Sequence, residues 1–174
     1  MVTCCGNTPV RKGEIAFQGN PLTLAGPKLK AGDPAPDFVL LRNDLSEARL
    51  ADFRGKTVLL SVVPSLDTPV CDLQTRRFNE EAGKLKNTVV LTVSMDLPFA
   101  QQRWCGAAGV KNVLTLSDHR EAKFGLAYGV LIQELRLLAR AIFVIAPDGK
   151  IKYMQLVPEI STLPDFDAAL AAAR

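Results

Sequence analysis

The sequence has few aromatic residues, little histidine and cysteine, and no long uninterrupted run of apolar or basic residues. Its 174 residues include eight Phe, two Tyr, one Trp, one His and four Cys. A transmembrane helix needs roughly 18 consecutive apolar residues, and charge or proline interrupts every apolar run here well before that length. We therefore expect no membrane span.

The charge is nearly balanced, with 21 basic and 18 acidic residues spread along the chain and a net charge of +3. Proteins that bind nucleic acid usually concentrate Lys and Arg in a patch or stripe, so nucleic acid is not an expected partner. A hydrophobic content of 48% is enough for the core of one compact domain at this length.

The four cysteines are too few for a secreted disulfide scaffold. A zinc site needs four ligands at close spacing, and the sequence suggests no such site around its single histidine. No metal is expected.

Cys4 and Cys5 have no apolar signal core before them and are soon followed by Arg11 and Lys12, which predicts a cytoplasmic protein. We assign these two cysteines no role. In a reducing compartment, an isolated cysteine is more often buried, metal-binding or catalytic than part of a structural bridge.

Residues 1–13 show no periodicity and are interpreted as a flexible N-terminal extension, with a single domain over residues 14–174. Two short alternating runs on either side of Gly19-Asn20-Pro21 predict an N-terminal β-hairpin over residues 14–25, expected at an edge of the main sheet. A second short strand pair is predicted around residues 38–44.

Unbroken apolar, β-branched runs follow at residues 57–63, 88–94 and 141–145, and such runs are typical of strands that are covered on both faces. A helical pattern from Pro69 to Lys84 joins the first two into a βαβ unit. The turn at Pro147-Asp148-Gly149 predicts an antiparallel hairpin. Further helices are predicted at residues 98–105, 121–128 and 164–173, the last with Pro164 at its first position. Together these elements predict a thioredoxin-like α/β fold, with a mixed central sheet flanked by helices.

Cys71 directly follows a helix-start pattern. Thr68 is a good N-cap residue and Pro69 suits the first helical position, so Cys71 is predicted in the first turn of the helix. There, the unpaired backbone N–H groups and the positive end of the helix dipole favour the nucleophilic thiolate. The alternative is a small buried core residue, which is the commoner state of a lone cysteine.

The run from Pro64 to Cys71 resembles the proline, threonine and cysteine pattern of the peroxiredoxin family, and the wider match is similar to its bacterial thiol peroxidase subfamily. The resemblance covers residues 17–169 and most of the chain. Its other motifs are Phe17-Gln18-Gly19-Asn20-Pro21, Asn87-Thr88-Val89-Val90-Leu91, Asp96-Leu97-Pro98-Phe99-Ala100-Gln101, Ala127-Tyr128-Gly129-Val130 and Ala139-Arg140-Ala141.

The resemblance implies a role for four residues near the helix start. Cys71 would be the peroxidatic thiolate and Thr68 would hydrogen-bond in the peroxide pocket, while Pro64 would shield that pocket from solvent. Arg140 would stabilise the thiolate and the charge that develops on the peroxide oxygens. From the residues alone, Arg140 could equally be a surface charge beside a strand.

The resemblance also implies that Cys105 resolves the oxidised Cys71 as an intramolecular disulfide. Because a disulfide needs Cα atoms within about 7 Å, we expect one or both helices to unwind partly when it forms. The alternative is an inert helix-surface thiol. Asp72 departs from the family pattern and adds a negative charge next to Cys71, which leaves the degree of thiolate stabilisation open.

The resemblance therefore implies a thiol-specific peroxidase that reduces hydrogen peroxide and organic hydroperoxides, is recycled by thioredoxin and forms a homodimer. No cofactor is implied, because sulfur itself carries the redox change. Two alternatives stay open: a thiol-disulfide oxidoreductase on the same fold, although a Cys-x-x-Cys pair is lacking, and a non-enzymatic redox sensor.

Overall fold

The fold is taken from a computed structural model that describes residues 8–174, so Cys4 and Cys5 lie outside the described part of the chain. The strands are β1 (Val10–Phe17), β2 (Asn20–Ala25), β3 (Val39–Leu41), β4 (Glu47–Arg49), β5 (Thr57–Val62), β6 (Thr88–Ser94), β7 (Val113–Ser117), β8 (Leu131–Ile132), β9 (Ala141–Ile145) and β10 (Ile151–Leu156). The helices are α1 (Pro69–Ala82), α2 (Pro98–Ala108), α3 (Lys123–Ala127) and α4 (Phe166–Ala173), with a short 3-10 helix at Leu50–Phe53.

Seven strands form one mixed sheet in the order β10-β9-β5-β6-β7-β3-β4. Strands β5, β6 and β7 are parallel, while β9 is antiparallel to both β5 and β10. The predicted βαβ unit is therefore present as β5-α1-β6, and the predicted hairpin is β9-β10. These features confirm the predicted α/β fold with a mixed central sheet.

Successive side chains of β5 enter different hydrophobic clusters. Leu60 packs with residues of α3 and the N-terminal hairpin on one face of the sheet, whereas Leu59 packs with Phe78 of α1 and Phe166 of α4. Since neighbouring side chains on a strand point to opposite faces, both faces of the sheet are covered. This coverage explains why the strand sequences are apolar without interruption.

The N-terminal hairpin is present, but it does not extend the seven-stranded sheet. Strand β2 pairs with β8, so that β1, β2 and β8 form a separate three-stranded sheet. Side chains of this sheet, including Ile15 and Leu22, pack into the core against one face of the central sheet. The prediction that the hairpin lies at an edge of the main sheet was wrong, because an alternating sequence indicates which face is buried and not which strand is the pairing partner.

The folded part of the chain begins earlier than the predicted domain start at residue 14, because β1 begins at Val10. The register between β1 and β2 shifts between Lys12 and Ile15, and Gly13 has a left-handed φ of 74°. Residues 13 and 14 lie between two paired positions whose partners are adjacent on β2, and this bulge interrupts the alternation of apolar side chains along β1. Residues 10–13 thus belong to the first strand rather than to the extension.

Helices α1 and α2 begin at their predicted prolines, but α4 does not. Its N-cap is Asp165, whose carboxylate accepts a hydrogen bond from the Ala168 N–H at 3.0 Å, so Pro164 precedes the cap. Strand β7 was not predicted, because the buried Thr115 and Ser117 interrupt its apolar pattern. Among the described residues, no helix combines the length and apolar character needed to cross a membrane.

Candidate active site

Cys71 lies in the first turn of α1, at the end of the loop that follows β5. Thr68 is the N-cap in an extended conformation and Pro69 is the first helical residue. The side chain of Cys71 is fully buried, with an exposed fraction of 0%. Because the first N–H groups of a helix lack partners within it and carry partial positive charge, this position stabilises an anionic sulfur.

Thr68 contacts the sulfur directly instead of capping the helix with its side chain. No side-chain hydrogen bond caps α1, which corrects the expected capping contact. The Thr68 Oγ1 lies 2.8 Å from Cys71 Sγ and 2.8 Å from the carbonyl oxygen of Ser65. A hydroxyl has one proton, so it donates to one of these acceptors at a time. An anionic sulfur is the stronger acceptor of the two.

Arg140 directly precedes β9 and points into the interior, where its exposed fraction is 2%. Its Nη2 donates to Cys71 Sγ at 3.3 Å, its Nε to the carbonyl oxygen of Ile160 at 2.9 Å, and its Nη1 to Gln74 Oε1 at 2.6 Å. Burial excludes the alternative of a surface charge. None of the three acceptors is a carboxylate. A buried cation is costly without a counter-charge, and the Cys71 sulfur is the one acceptor of the three that can carry a negative charge.

Gln74 and Ser61 complete the surroundings of Arg140, and sequence reasoning missed both. Gln74 is fully buried, and its Nε2 donates to Ser61 Oγ at 2.8 Å while its Oε1 accepts from Arg140. Gln74 lies three residues after Cys71, which is the spacing of neighbours on one helix face. That spacing could have indicated that Gln74 lies near Cys71, but it does not indicate that Gln74 accepts a hydrogen bond from Arg140.

Asp96 holds the loop before Cys71 in place and was also missed. Its carboxylate accepts hydrogen bonds from Ser65 Oγ at 2.7 Å, from the Leu66 N–H at 2.8 Å and from Ser94 Oγ at 2.7 Å. Pro64 is buried at the start of this loop, next to Val63, which packs in the same hydrophobic cluster as Cys71. The loop is thus fixed by a carboxylate that follows the neighbouring strand.

Cys105 lies in α2 and is partly buried. Its sulfur lies 3.4 Å from Thr115 Oγ1 on β7, whereas the sulfur of Cys71 faces Arg140 and Thr68. Both cysteines are free thiols. Cys105 packs against the small cluster that contains Cys71 and Trp104, so the structure brings the two helices together while their sulfurs contact different partners.

The carboxylate of Asp72, which the sequence placed beside Cys71, is already paired. Its Oδ2 accepts from Arg76 Nε at 2.9 Å, and its Oδ1 accepts from Trp104 Nε1 at 3.0 Å. The Arg76 cation offsets the charge of Asp72, which reduces the repulsion that the carboxylate would exert on a thiolate.

Within residues 8–174, His, Cys, Asp and Glu side chains form no group of three or more that could hold a metal ion. The arrangement around Cys71 instead provides a buried sulfur, a fixed cation and a hydroxyl donor. These groups suit a nucleophilic attack in which negative charge develops on atoms next to the sulfur.

Comparisons with known proteins agree on one family. The Redoxin family model matches residues 30–170. A thiol peroxidase of Staphylococcus aureus (strain MRSA252) is 58% identical over 159 residues, which cover 91% of this chain and 96% of the relative. A thiol peroxidase of Listeria innocua is 55% identical over 161 residues, with 92% and 98% covered. The crystal structure of a peroxiredoxin-like protein from Aquifex aeolicus is 42% identical and superposes with a TM-score of 0.86, covering 93% of this chain and 97% of that one.

Proposed function

Because this chain belongs to the redoxin family and is a thiol-dependent peroxidase, we propose that Cys71 is the sulfur that attacks the hydroperoxide. The observation that carries the proposal is the buried contact between Arg140 Nη2 and Cys71 Sγ at 3.3 Å. Thr68 supplies the second polar contact to the same sulfur. Cys105, the other described cysteine, has no comparable cation among its contacts.

In the first step, the Cys71 thiolate attacks one oxygen of the hydroperoxide and the O–O bond breaks. The sulfur is oxidised to a sulfenic acid, and the other oxygen leaves as water or an alcohol after taking up a proton. Negative charge spreads over the sulfur and both oxygens in the transition state. Arg140 and the Thr68 hydroxyl are placed to stabilise that charge, and the buried Pro64 limits access of water to the pocket.

In the second step, the Cys105 thiol attacks the sulfenic sulfur of Cys71, a disulfide forms and water leaves. A thioredoxin-type dithiol then reduces the disulfide through a mixed disulfide and restores both thiols. Cys71 is fully buried and Cys105 faces Thr115, so part of α1 or α2 unwinds before the two sulfurs can bond. No metal, haem or flavin takes part in this proposal. It further includes a homodimer and a cytoplasmic location, where a thioredoxin system supplies the electrons.

The test is to mix reduced protein with one equivalent of hydrogen peroxide and map the products by mass spectrometry. We expect a Cys71–Cys105 disulfide in the unmodified protein. Cys105→Ser should carry a sulfenic acid on Cys71. Cys71→Ser should remain unoxidised over the time in which the unmodified protein reacts completely. Full peroxidase turnover by Cys71→Ser would overturn the role of Cys71. A product without the Cys71–Cys105 disulfide would overturn the role of Cys105.

Steady-state assays with a thioredoxin system separate the proposal from the two alternatives. A peroxidase consumes many equivalents of hydrogen peroxide or cumene hydroperoxide, whereas a sensor reacts once. A thiol-disulfide oxidoreductase would reduce insulin faster than peroxide. The position of a second cysteine in a Cys-x-x-Cys pair is filled by Gln74, which instead accepts a hydrogen bond from Arg140, and this observation favours peroxidase chemistry.

A further inference from the structure

One hydrogen bond joins the helix of Cys71 to the helix of Cys105. The indole Nε1 of Trp104 donates to Asp72 Oδ1 at 3.0 Å. Trp104 is largely buried, with an exposed fraction of 8%, while the Asp72 side chain is 34% exposed. A buried indole N–H needs an acceptor, and a carboxylate makes this bond charge-assisted and stronger than a neutral one.

Arg76 strengthens the connection between the same two helices. Its Nε donates to Asp72 Oδ2 at 2.9 Å, and its Nη1 donates at 3.0 Å to the carbonyl oxygen of Ala108, the last residue of α2. The guanidinium carbon also lies 5.8 Å from the centre of the Trp104 ring, within the range of a cation–π contact. Asp72, Arg76 and Trp104 thus form a three-residue bridge, which we call the helix latch.

The latch lies next to both cysteines in the chain. Asp72 directly follows Cys71 and Trp104 directly precedes Cys105. The two sulfurs face different partners, Arg140 in one case and Thr115 in the other. To form a disulfide, at least one of the two helical turns must rearrange, and a rearrangement at either cysteine moves one end of the Asp72–Trp104 bond.

We propose that the helix latch sets the rate of disulfide formation by holding Cys71 and Cys105 in the arrangement that reacts with peroxide. Asp72 and Trp104 are positioning residues in this proposal, which rests on the function proposed above. The latch stabilises the folded arrangement and is broken before the sulfurs meet, so its strength adds to the barrier of the second step. It has little effect on the first step, which takes place in the folded arrangement.

The latch consequently decides between two fates of the sulfenic acid. In one, the Cys105 thiol attacks the sulfenic sulfur and water leaves as the disulfide forms. In the other, the Cys71 sulfenate attacks a second hydroperoxide, the O–O bond breaks, and the sulfur is oxidised to a sulfinic acid while water or an alcohol leaves. A tight latch prolongs the life of the sulfenic acid and favours the second fate at high peroxide concentration.

The test measures the two steps separately in Asp72→Ala, Trp104→Phe and the double variant. Rapid quenching with a thiol-alkylating reagent, followed by mass spectrometry, gives the second-order rate constant of sulfenic acid formation and the first-order rate constant of disulfide formation. Glu81→Ala is the matched control, because Glu81 is a carboxylate of α1 that pairs with Lys84 near the end of the same helix and does not reach α2. Thermal unfolding shows that each variant is folded.

We expect disulfide formation to accelerate about tenfold in Asp72→Ala and in Trp104→Phe, the effect of losing one partly exposed charge-assisted bond. Asp72→Asn keeps an acceptor for the indole and should accelerate the step less. The double variant should be no faster than Asp72→Ala, since that single variant already lacks the bond to Trp104 as well as the pair with Arg76. As disulfide formation accelerates, the fraction of sulfinic acid at excess peroxide should fall in proportion. The rate constant of sulfenic acid formation should stay within about twofold of that of the unmodified enzyme in each variant.

Unchanged or slower disulfide formation in both single variants would overturn the latch, and so would independent, multiplicative effects in the double variant. An equal acceleration in Glu81→Ala would also overturn it, because general loosening of α1 would then suffice. These outcomes differ from a failure of the proposed function. If the unmodified enzyme forms no Cys71–Cys105 disulfide, the resolving role of Cys105 is wrong and the latch is wrong with it.

Trp104 is the only tryptophan of the chain, so its fluorescence provides a second readout in every variant that retains it. In the unmodified enzyme, the emission should change at the rate of disulfide formation and not at the rate of peroxide attack. A change that follows peroxide attack alone, and persists unaltered in Cys105→Ser, would contradict the proposal.

Discussion

The first turn of α1 and the C-terminal half of α2 each carry one cysteine, and the two thiols have different surroundings. Cys71 is fully buried and contacts a guanidinium at 3.3 Å and a hydroxyl at 2.8 Å. Cys105 is partly buried, and its polar contact is the Thr115 hydroxyl at 3.4 Å. The sulfur of Cys71 therefore contacts a cation and a hydroxyl, and that of Cys105 contacts a hydroxyl. The hydroxyl of Thr68 lies three residues from Cys71 in the chain, whereas the cation comes from a residue 69 positions away.

The largest effect on this comparison is expected from replacing the guanidinium of Arg140, which contacts Cys71 Sγ at 3.3 Å. Arg140→Lys keeps a positive charge, but one ammonium group cannot reach the three acceptors that Arg140 binds with Nε, Nη1 and Nη2. We expect sulfenic acid formation on Cys71 to slow by about 100- to 1000-fold, the range seen when one group that stabilises a transition-state anion is lost. Stopped-flow measurement with excess hydrogen peroxide checks this value.

Arg77→Lys is the control for the loss of an arginine, since Arg77 stacks on Phe166 at 4.1 Å, away from Cys71. It should leave sulfenic acid formation nearly unchanged. If Arg140→Lys, shown to be folded by its thermal unfolding, reacted as fast as the unmodified enzyme, the guanidinium contacts of Arg140 would not account for the difference between the two cysteines.

The next effect concerns the hydroxyl beside Cys71. Thr68→Val preserves the shape of the side chain but removes the donor to Cys71 Sγ, so we expect a loss of about 10- to 100-fold in the same rate constant, as for a hydrogen bond to a charged group. Thr68→Ser retains the hydroxyl and should recover most of the activity. Equal rates for the Val and Ser variants would indicate that Thr68 acts through packing alone.

A smaller effect is expected at Gln74, which positions Arg140 without contacting the sulfur in the described contacts. Gln74→Leu leaves Arg140 Nη1 without this acceptor and should slow sulfenic acid formation by about three- to tenfold. Gln74→Glu should slow it further, because a carboxylate at this position would compete with the thiolate for the guanidinium. A faster reaction in Gln74→Glu than in Gln74→Leu would contradict this electrostatic role.

The smallest effect is expected from the hydroxyl beside Cys105. Thr115→Val removes a weak contact with Cys105 Sγ and should change both sulfenic acid and disulfide formation by no more than about twofold. It is the matched counterpart of Thr68→Val, because each change replaces the threonine next to one cysteine. A loss as large as that of Thr68→Val would show that Cys105 is prepared by its surroundings in the same way as Cys71.

Much of the fold was predictable because its signals are local. The covered strands have continuous apolar sequences, and the prolines at residues 69 and 98 mark where α1 and α2 begin. The corrections concern features without a local signal. The pairing of β2 with β8 depends on a strand more than a hundred residues away, and the bulge at Gly13 hides the alternation of β1.

The residues of the candidate site also fall into those with a signal in the sequence and those without one. The location of Cys71 in the first turn of a helix follows from the residues that precede it, and the roles assigned to Thr68 and Arg140 came from family resemblance. Gln74 and Asp96 were missed, because a glutamine on a helix and an aspartate after a strand have many ordinary structural uses. Their contacts with Arg140 and with the loop at Ser65 become visible only when the elements are packed.

The covered strands β5, β6 and β9, the start of α1 and the cysteine in its first turn could be located from local sequence patterns. Hydrophobic periodicity and helix capping act between residues that are close in the chain. Three contacts became visible in the packed fold: Arg140 is buried against Cys71, Gln74 accepts a hydrogen bond from Arg140, and Asp72 accepts one from Trp104. The bond between Asp72 and Trp104 joins residues 32 positions apart, and the contact between Cys71 and Arg140 joins residues 69 positions apart. Their geometry depends on how helices and strands pack, which no local pattern specifies.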